Sequence, residues 1–219
     1  MPLPIVVLIS GTGSNLRAVL GAIDEGHCDA RVIAVISDRE SAKGLDLARE
    51  RGIAAAVVKI KDFAARELWD EALTRAIAGY DPALIVLAGF MKLLGAHTVA
   101  RFPQRIINIH PALLPLFPGA HGPADAIAAK VRVSGCTVHV VDSGIDSGPI
   151  IAQAAVPVLP DDDVDRLHQR IQRAEHRLLP AVIDAIARGV VTLAPEVRIA
   201  QSCFDQGALL LSPWLGEKS

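Results

Sequence analysis

The sequence predicts one α/β domain, and three observations predict it. In the first half, five short aliphatic runs alternate with segments of helical spacing. Such runs suit strands buried on both faces, and the alternation implies a parallel sheet with right-handed crossovers. In the second half, two further strand candidates are joined only by residues 142–148, too short a link for a helical crossover, so an antiparallel pair is expected. No internal repeat, low-complexity tract or long linker interrupts the 219 residues, a length that suits one sizeable domain. The expected architecture is a single-domain, Rossmann-like parallel sheet in the N-terminal half, continued by antiparallel strands in the C-terminal half. It occupies residues 1–200, and 201–219 form a C-terminal tail with no clear period.

The elements follow in order. Residues 4–9, 31–36, 54–58, 83–87 and 105–109 read as strands. Residues 15–25, 42–51 and 63–78 read as helices with charges on one side, the second ending at Gly52 as a C′ glycine. Residues 131–141 and 149–158 are the antiparallel pair. Asp161, Asp162 and Asp163 open a long helix, where acidic side chains complement the helix dipole. That helix runs to about Arg188 and ends at Gly189, and Pro180 within it predicts a kink or a split. Residues 190–200 read as a short hairpin.

Composition narrows the function. Hydrophobic residues are 51% and charged residues 21%, a globular balance. A net charge of -2 excludes a whole-chain nucleic-acid footprint. Mean hydropathy is +0.38, yet no apolar run approaches the ~20 residues of a membrane span. Residues 5–9 have neither a basic stretch before them nor a small-residue cleavage site after, so they are no signal peptide. A cytoplasmic protein without membrane or nucleic-acid partners is expected. Cys28, Cys136 and Cys203 are far apart with no CxxC, which argues against a disulfide framework or a zinc site. His168 and His176 stand eight apart rather than four and form no helical metal pair, so no metal is expected.

Four segments could carry chemistry. Ser10-Gly11-Thr12-Gly13-Ser14-Asn15-Leu16 lies between the first strand and helix, where free N–H groups and the helix dipole favour an anion such as phosphate. The alternative is a tight turn capped by Ser14 or Asn15. Leu16 replaces the third glycine of a dinucleotide fingerprint, although Asp38 could imitate the ribose-binding acid. In Ile106-Ile107-Asn108-Ile109-His110-Pro111, strand alternation puts Asn108 and His110 on one side at the carboxyl end of a buried strand. An amide donor beside an imidazole can stabilise an oxyanion and move a proton. The alternative is a structural turn with a satisfied histidine. Asp142-Ser143-Gly144-Ile145-Asp146-Ser147-Gly148-Pro149 is a Gly-rich loop in which Asp142 suits an Asx turn and Asp146 could pair with a histidine and hold it cationic. Finally, Ala88-Gly89-Phe90-Met91-Lys92-Leu93-Leu94 could let a flat ring lie against backbone, or could be ordinary loop packing. His139 reads as a core histidine, with a supporting role behind the site as the alternative, and Cys136 as a small hydrophobe.

The order of these segments closely resembles the phosphoribosylglycinamide formyltransferase family. The match lies in Ile9-Ser10-Gly11-Thr12-Gly13-Ser14-Asn15-Leu16, in Leu87-Ala88-Gly89-Phe90-Met91-Lys92-Leu93-Leu94, in Asn108-Ile109-His110-Pro111-Ala112-Leu113-Leu114-Pro115 and in the Asp-x-Gly-x-Asp-x-Gly-Pro run at 142–149. The resemblance covers about residues 5–200. It implies a folate-dependent formyl transfer from 10-formyltetrahydrofolate, as co-substrate, to the amine of glycinamide ribonucleotide, without a metal. By position it implies Asn108, His110 and Asp146 as the catalytic trio. Gly13, Ser14 and Asn15 would meet the substrate's phosphate, with Gln172 and Glu175 as further substrate contacts. Met91, Lys92, Leu93 and Leu94 would wall the pterin pocket together with Asn108, Asp142, Ser143, Gly144, Ile145 and Asp146, and Arg66 would lie near the benzoyl-glutamate tail. Leu116, Pro123 and Asp125 depart from residues common in the family. Other formyl-group enzymes, acting on initiator tRNA or hydrolysing formyltetrahydrofolate, are neighbouring readings, and a dinucleotide-binding module is a distant one. A homodimer is compatible with all of them.

Overall fold

The computed structural model describes residues 1–200 and the backbone of residues 211–212. Its strands are β1 (Leu3–Ile9), β2 (Ala30–Ser37), β3 (Ala54–Val57), β4 (Leu84–Leu87), β5 (Ile106–His110), β6 (Val133–Val140), β7 (Ile150–Pro157), β8 (Val191–Thr192), β9 (Arg198–Ile199) and β10 (Leu211–Ser212). Its helices are α1 (Ser14–Asp24), α2 (Gly44–Glu50), α3 (Arg66–Ala78), α4 (Ala96–Arg101), α5 (Gly122–Ala128) and α6 (Val164–Ala187). The main sheet has the order β10-β7-β6-β5-β4-β1-β2-β3. Strands β3, β2, β1, β4 and β5 are mutually parallel, β6 is antiparallel to β5, and β7 is antiparallel to β6. The small hairpin is β8 against β9.

The two-sided core follows from β1. Ile5, Val7 and Ile9 face Leu16 and Val19 of α1, Leu45 of α2, and Ile171, Leu179 and Ile183 of α6. Val6 and Leu8 face the opposite layer, with Trp69, Leu73 and Ile77 of α3 and Phe102. Residues 5–9 are all fully buried, and each such aliphatic side chain contributes about 1.5–3 kcal/mol over exposure.

Several expectations need correction. β3 is the sheet's edge and is partly exposed rather than buried on both faces. The third helix does not start at residue 63. A 3-10 turn (Ile60–Asp62) and an extended Phe63 precede it. α6 runs unbroken through Pro180. The lost N–H bond there is outweighed by its buried face, which includes Leu178, Leu179, Val182 and Ile183. Asp163 is the N-cap, accepting from the Arg166 N–H, while Asp161 and Asp162 precede the helix. Helices α4 and α5 lie where only loops were expected. The tail, read as aperiodic, falls outside the described residues except at 211–212, whose backbone pairs with Gln153 and Ala154 of β7.

Candidate active site

The chain moves outward from β1 to β2 and β3 on one side, and from β4 to β5 on the other. The crevice at the carboxyl ends of β1, β4 and β5 is therefore a topological switch point, where open α/β sheets bind ligands.

β1 feeds through Ser10 into the Gly11-Thr12-Gly13 turn. Gly13 adopts φ 73, and a Cβ there would come 2.7 Å from the Cα of Gly44, so glycine alone fits. Helix α1 has neither a side-chain cap nor an acidic residue in its first turn. The Arg17 N–H donates to the Gly13 carbonyl (2.8 Å), so the N–H groups of Ser14, Asn15 and Leu16 precede any intrahelical acceptor. Ser14 and Asn15 do not cap the helix. The Ser14 Oγ accepts from Gln172 Nε2 (3.0 Å), and Asn15 Nδ2 donates to Glu175 Oε2 (3.0 Å). The packing of α6 on α1 thus gathers Gly13, Ser14, Asn15, Gln172 and Glu175. Burial pushes the Glu175 carboxyl up, against the Asn15 hydrogen bond and the field of His168. Asp38 follows β2 as a buried carboxylate, 3.4 Å from Arg39 Nε.

On β5, Asn108 and His110 share one face, and Asn108 pairs across the ladder with His139 of β6. His110 Nε2 lies 2.8 Å from the Phe117 carbonyl and Nδ1 lies 3.4 Å from Asp146 Oδ2. Both ring nitrogens face acceptors, a pattern that only the imidazolium satisfies in full. Asn108 Nδ2 approaches His139 Nε2 (3.2 Å) and Asp146 Oδ1 (3.4 Å). His139 Nδ1 lies 3.0 Å from the Val140 carbonyl. Its Nε2 also lies 3.5 Å from Asp146 Oδ1, between that carboxylate and the Asn108 amide. Asp146 has φ 50, uncommon for a residue with a Cβ. The Gly119 N–H holds it, donating to Oδ2 (2.8 Å). Burial pushes the Asp146 carboxyl up, but hydrogen bonds from His139 and Gly119 and the fields of both histidines outweigh it. The carboxyl is held below its usual range.

These groups line a cavity of about 410 Å³, a volume that suits a small molecule. Met91, Lys92, Leu93 and Leu94 form one wall, and Asp142, Ser143, Gly144, Ile145 and Asp146 the other. Asn108, His110 and His139 also border it. Met91, Leu93 and Ile145 are 65%, 56% and 55% exposed, so the walls offer apolar surface that the chain itself does not cover. Phe90 instead packs inward, its ring stacked on Trp69 at 6.5 Å. Asp142 makes the expected Asx turn, accepting from the Gly144 N–H. Arg66 is not part of the lining. Its Nη2 donates to the Leu93 carbonyl (2.6 Å), and its guanidinium lies over the Trp69 ring.

Two polar residues, Thr137 and Gln153, escaped the sequence reading, as did the tie that Ser10 makes. Ser10 Oγ accepts from the Met91 N–H (2.8 Å) and ties the first turn to the 91–94 wall. Thr137, opposite His110, donates to the Ala112 carbonyl (2.7 Å) and accepts from the Leu114 N–H (3.0 Å), while Gln153 donates to the Leu114 carbonyl (2.8 Å). A buried polar residue on a strand was the one available signal for Thr137, as for His139, whose supporting alternative matches its place beside Asn108. Of the departures, Leu116 is exposed, whereas Pro123 and Asp125 start α5, where proline and an acid are both favoured. Burial pushes the Cys136 thiol up to about 12, in keeping with an inert core residue. No group of metal-ligating side chains occurs among the described residues.

The formyl transferase family matches residues 3–183. Phosphoribosylglycinamide formyltransferase of Mycobacterium tuberculosis is 50% identical over 192 residues, covering 88% of each chain. The enzyme of the same name from Escherichia coli is 42% identical over 185 residues, covering 84% of this chain and 87% of its own. The crystal structure of glycinamide ribonucleotide transformylase 1 from Symbiobacterium toebii superposes with a TM-score of 0.87 at 44% identity, covering 91% of this chain and 95% of that one. The shared sheet, the four segments at its carboxyl ends and identity of this extent lead to one conclusion: the chain belongs to the formyl transferase family.

Proposed function

We propose that this protein transfers the formyl group of 10-formyltetrahydrofolate to the primary amine of glycinamide ribonucleotide, in purine biosynthesis. The observation that carries this reading is the convergence of one amide, one imidazole and one carboxylate in a single cavity, with Asp146 lying 3.4 Å from Asn108 and 3.4 Å from His110. The ribonucleotide's phosphate sits on the N–H groups of Gly13, Ser14 and Asn15, where a glycine-shaped turn meets an uncapped helix start. Gln172 and Glu175 contact the same substrate. The donor's flat ring lies between the apolar faces of Met91, Leu93, Leu94 and Ile145, with its tail toward Arg66.

The chemistry is direct acyl transfer. The amine attacks the formyl carbon and a tetrahedral intermediate forms. Asn108 Nδ2, whose present bonds are at the long end of the range, turns a proton toward the developing oxyanion. His110 stabilises the same charge as imidazolium and relays a proton. Asp146 keeps that cation paired and oriented, and its depressed pKa keeps it a carboxylate throughout. Protonation of the donor's bridging nitrogen releases tetrahydrofolate. His139, paired with Asn108 across the ladder and close to Asp146, fixes the position of the Asn108 amide.

The test is the absorbance change on mixing the protein with 10-formyltetrahydrofolate and glycinamide ribonucleotide. Product that requires both substrates supports the reading. Deformylation without the ribonucleotide would mark a hydrolase and overturn it.

A further inference from the structure

One buried carboxylate outside the cavity is committed to the cavity's wall. Asp70, on α3, is 3% exposed. It accepts from the Gly95 N–H (2.9 Å), the His97 N–H (2.9 Å), the Thr98 N–H (3.2 Å) and the Thr98 hydroxyl. These are donors at the start of α4, which has no side-chain cap of its own. The cap comes from another helix, across some 25 residues of chain. Gly95 is shaped for it, since a Cβ there would overlap the Asp70 carboxylate.

The consequence falls on residues 91–94. The wall is tied at its start by Ser10 to the Met91 N–H and at its middle by Arg66 to the Leu93 carbonyl. Its far end is tied through the Gly95 N–H to Asp70. Three residues separate Met91 from Gly95, so the position of that end sets the spread of Lys92, Leu93 and Leu94. None of the bonds made by Asp70 reaches Asn108, His110 or Asp146.

We propose that Asp70 is a positioning residue for the formyl donor. Its carboxylate holds the 91–94 wall at the separation from the 142–146 wall that the donor's ring requires. This rests on the function proposed above.

Asp70→Asn keeps the shape and turns one acceptor into an amide that faces N–H donors. The expected result is a rise of about tenfold in KM for 10-formyltetrahydrofolate, the scale of a lost charge-assisted bond. The kcat at saturating donor and the KM for glycinamide ribonucleotide should each stay within about twofold, because only uniform binding of the donor is lost. A folded Asp70→Asn with an unchanged donor KM, or with both KM values raised together, would overturn the proposal. If Asp70→Asn does not fold, Thr98→Val removes one donor to Asp70 at nearly constant shape. It should raise the donor KM alone by about threefold, under the same criteria. The wild type is assayed first. A wild type that does not turn over the donor overturns the proposed function and this proposal with it, whereas an active wild type matched by its variants overturns this proposal only.

Discussion

At the level of single residues, the site is a chain of acceptors and donors that meet at Asp146. Asn108 donates to Asp146 at 3.4 Å, and Asp146 is also tied to Gly119 and both histidines. Asn108→Ala and Asp146→Asn should each lower kcat by about a hundred- to a thousandfold, the scale of one lost oxyanion donor. The double variant should lose far less than the product of the two, because the residues act as a unit. Steady-state kinetics on protein of native circular dichroism measures both, and multiplying losses would contradict a shared role. Glu175 gives a separate prediction. Burial raises its carboxyl above the ordinary 4.5, so the native state holds that proton more tightly than the unfolded chain. Its contribution to stability therefore falls as pH rises through the range above 4.5. Glu175→Gln keeps the acceptor for Asn15 and removes that slope. Its melting temperature should gain on the wild type between pH 5 and pH 7, and a variant that loses ground over that interval would contradict the burial argument.

At the level of elements, legibility tracked length and burial. Strands β1, β2, β4 and β5 are close to continuous aliphatic runs and were readable as such. α4 and α5 have six and seven residues, too few turns to display a helical period. The start of α4 depends on Asp70 and the closure of the 91–94 wall on Ser10, contacts that no local pattern encodes. The site divides in the same way. Asn108-x-His110 and the 142–149 loop carry local signatures. Thr137, His139 and Gln153 take their meaning from ladder register, which brings them beside residues 16 to 39 positions away. The entry to α6 also shows how expectation and structure part. Asp162 does not serve the helix dipole. It forms a two-pronged ion pair with Arg170, which holds its carboxyl down at about 2, against an ordinary 3.8. A depressed carboxylate stabilises the fold above its ordinary pKa, and that contribution is lost as pH falls from about 4 through about 2. Asp162→Asn should therefore lower the melting temperature at pH 7 and leave a shallower decline between pH 4 and pH 2. Equal slopes for variant and wild type would show that the pair carries no linkage.

At the level of the whole molecule, the sheet order explains why chemistry collects where it does. The reversal between β1 and β4 opens a crevice, β1 delivers the uncapped start of α1 to it, and β5 delivers Asn108 and His110. The antiparallel turn from β6 to β7 then folds Asp146 back over them. The two substrates need adjoining, unlike surfaces, a ring of N–H groups for an anion and an apolar slot for a flat ring. One end of the sheet's central strands supplies both. The most direct measurement of this account is the rate of formyl transfer by His110→Ala in protein shown to be folded and to bind glycinamide ribonucleotide normally. The account predicts a loss of at least about a hundredfold in kcat with ribonucleotide affinity retained. Near-normal turnover by that folded variant would contradict it.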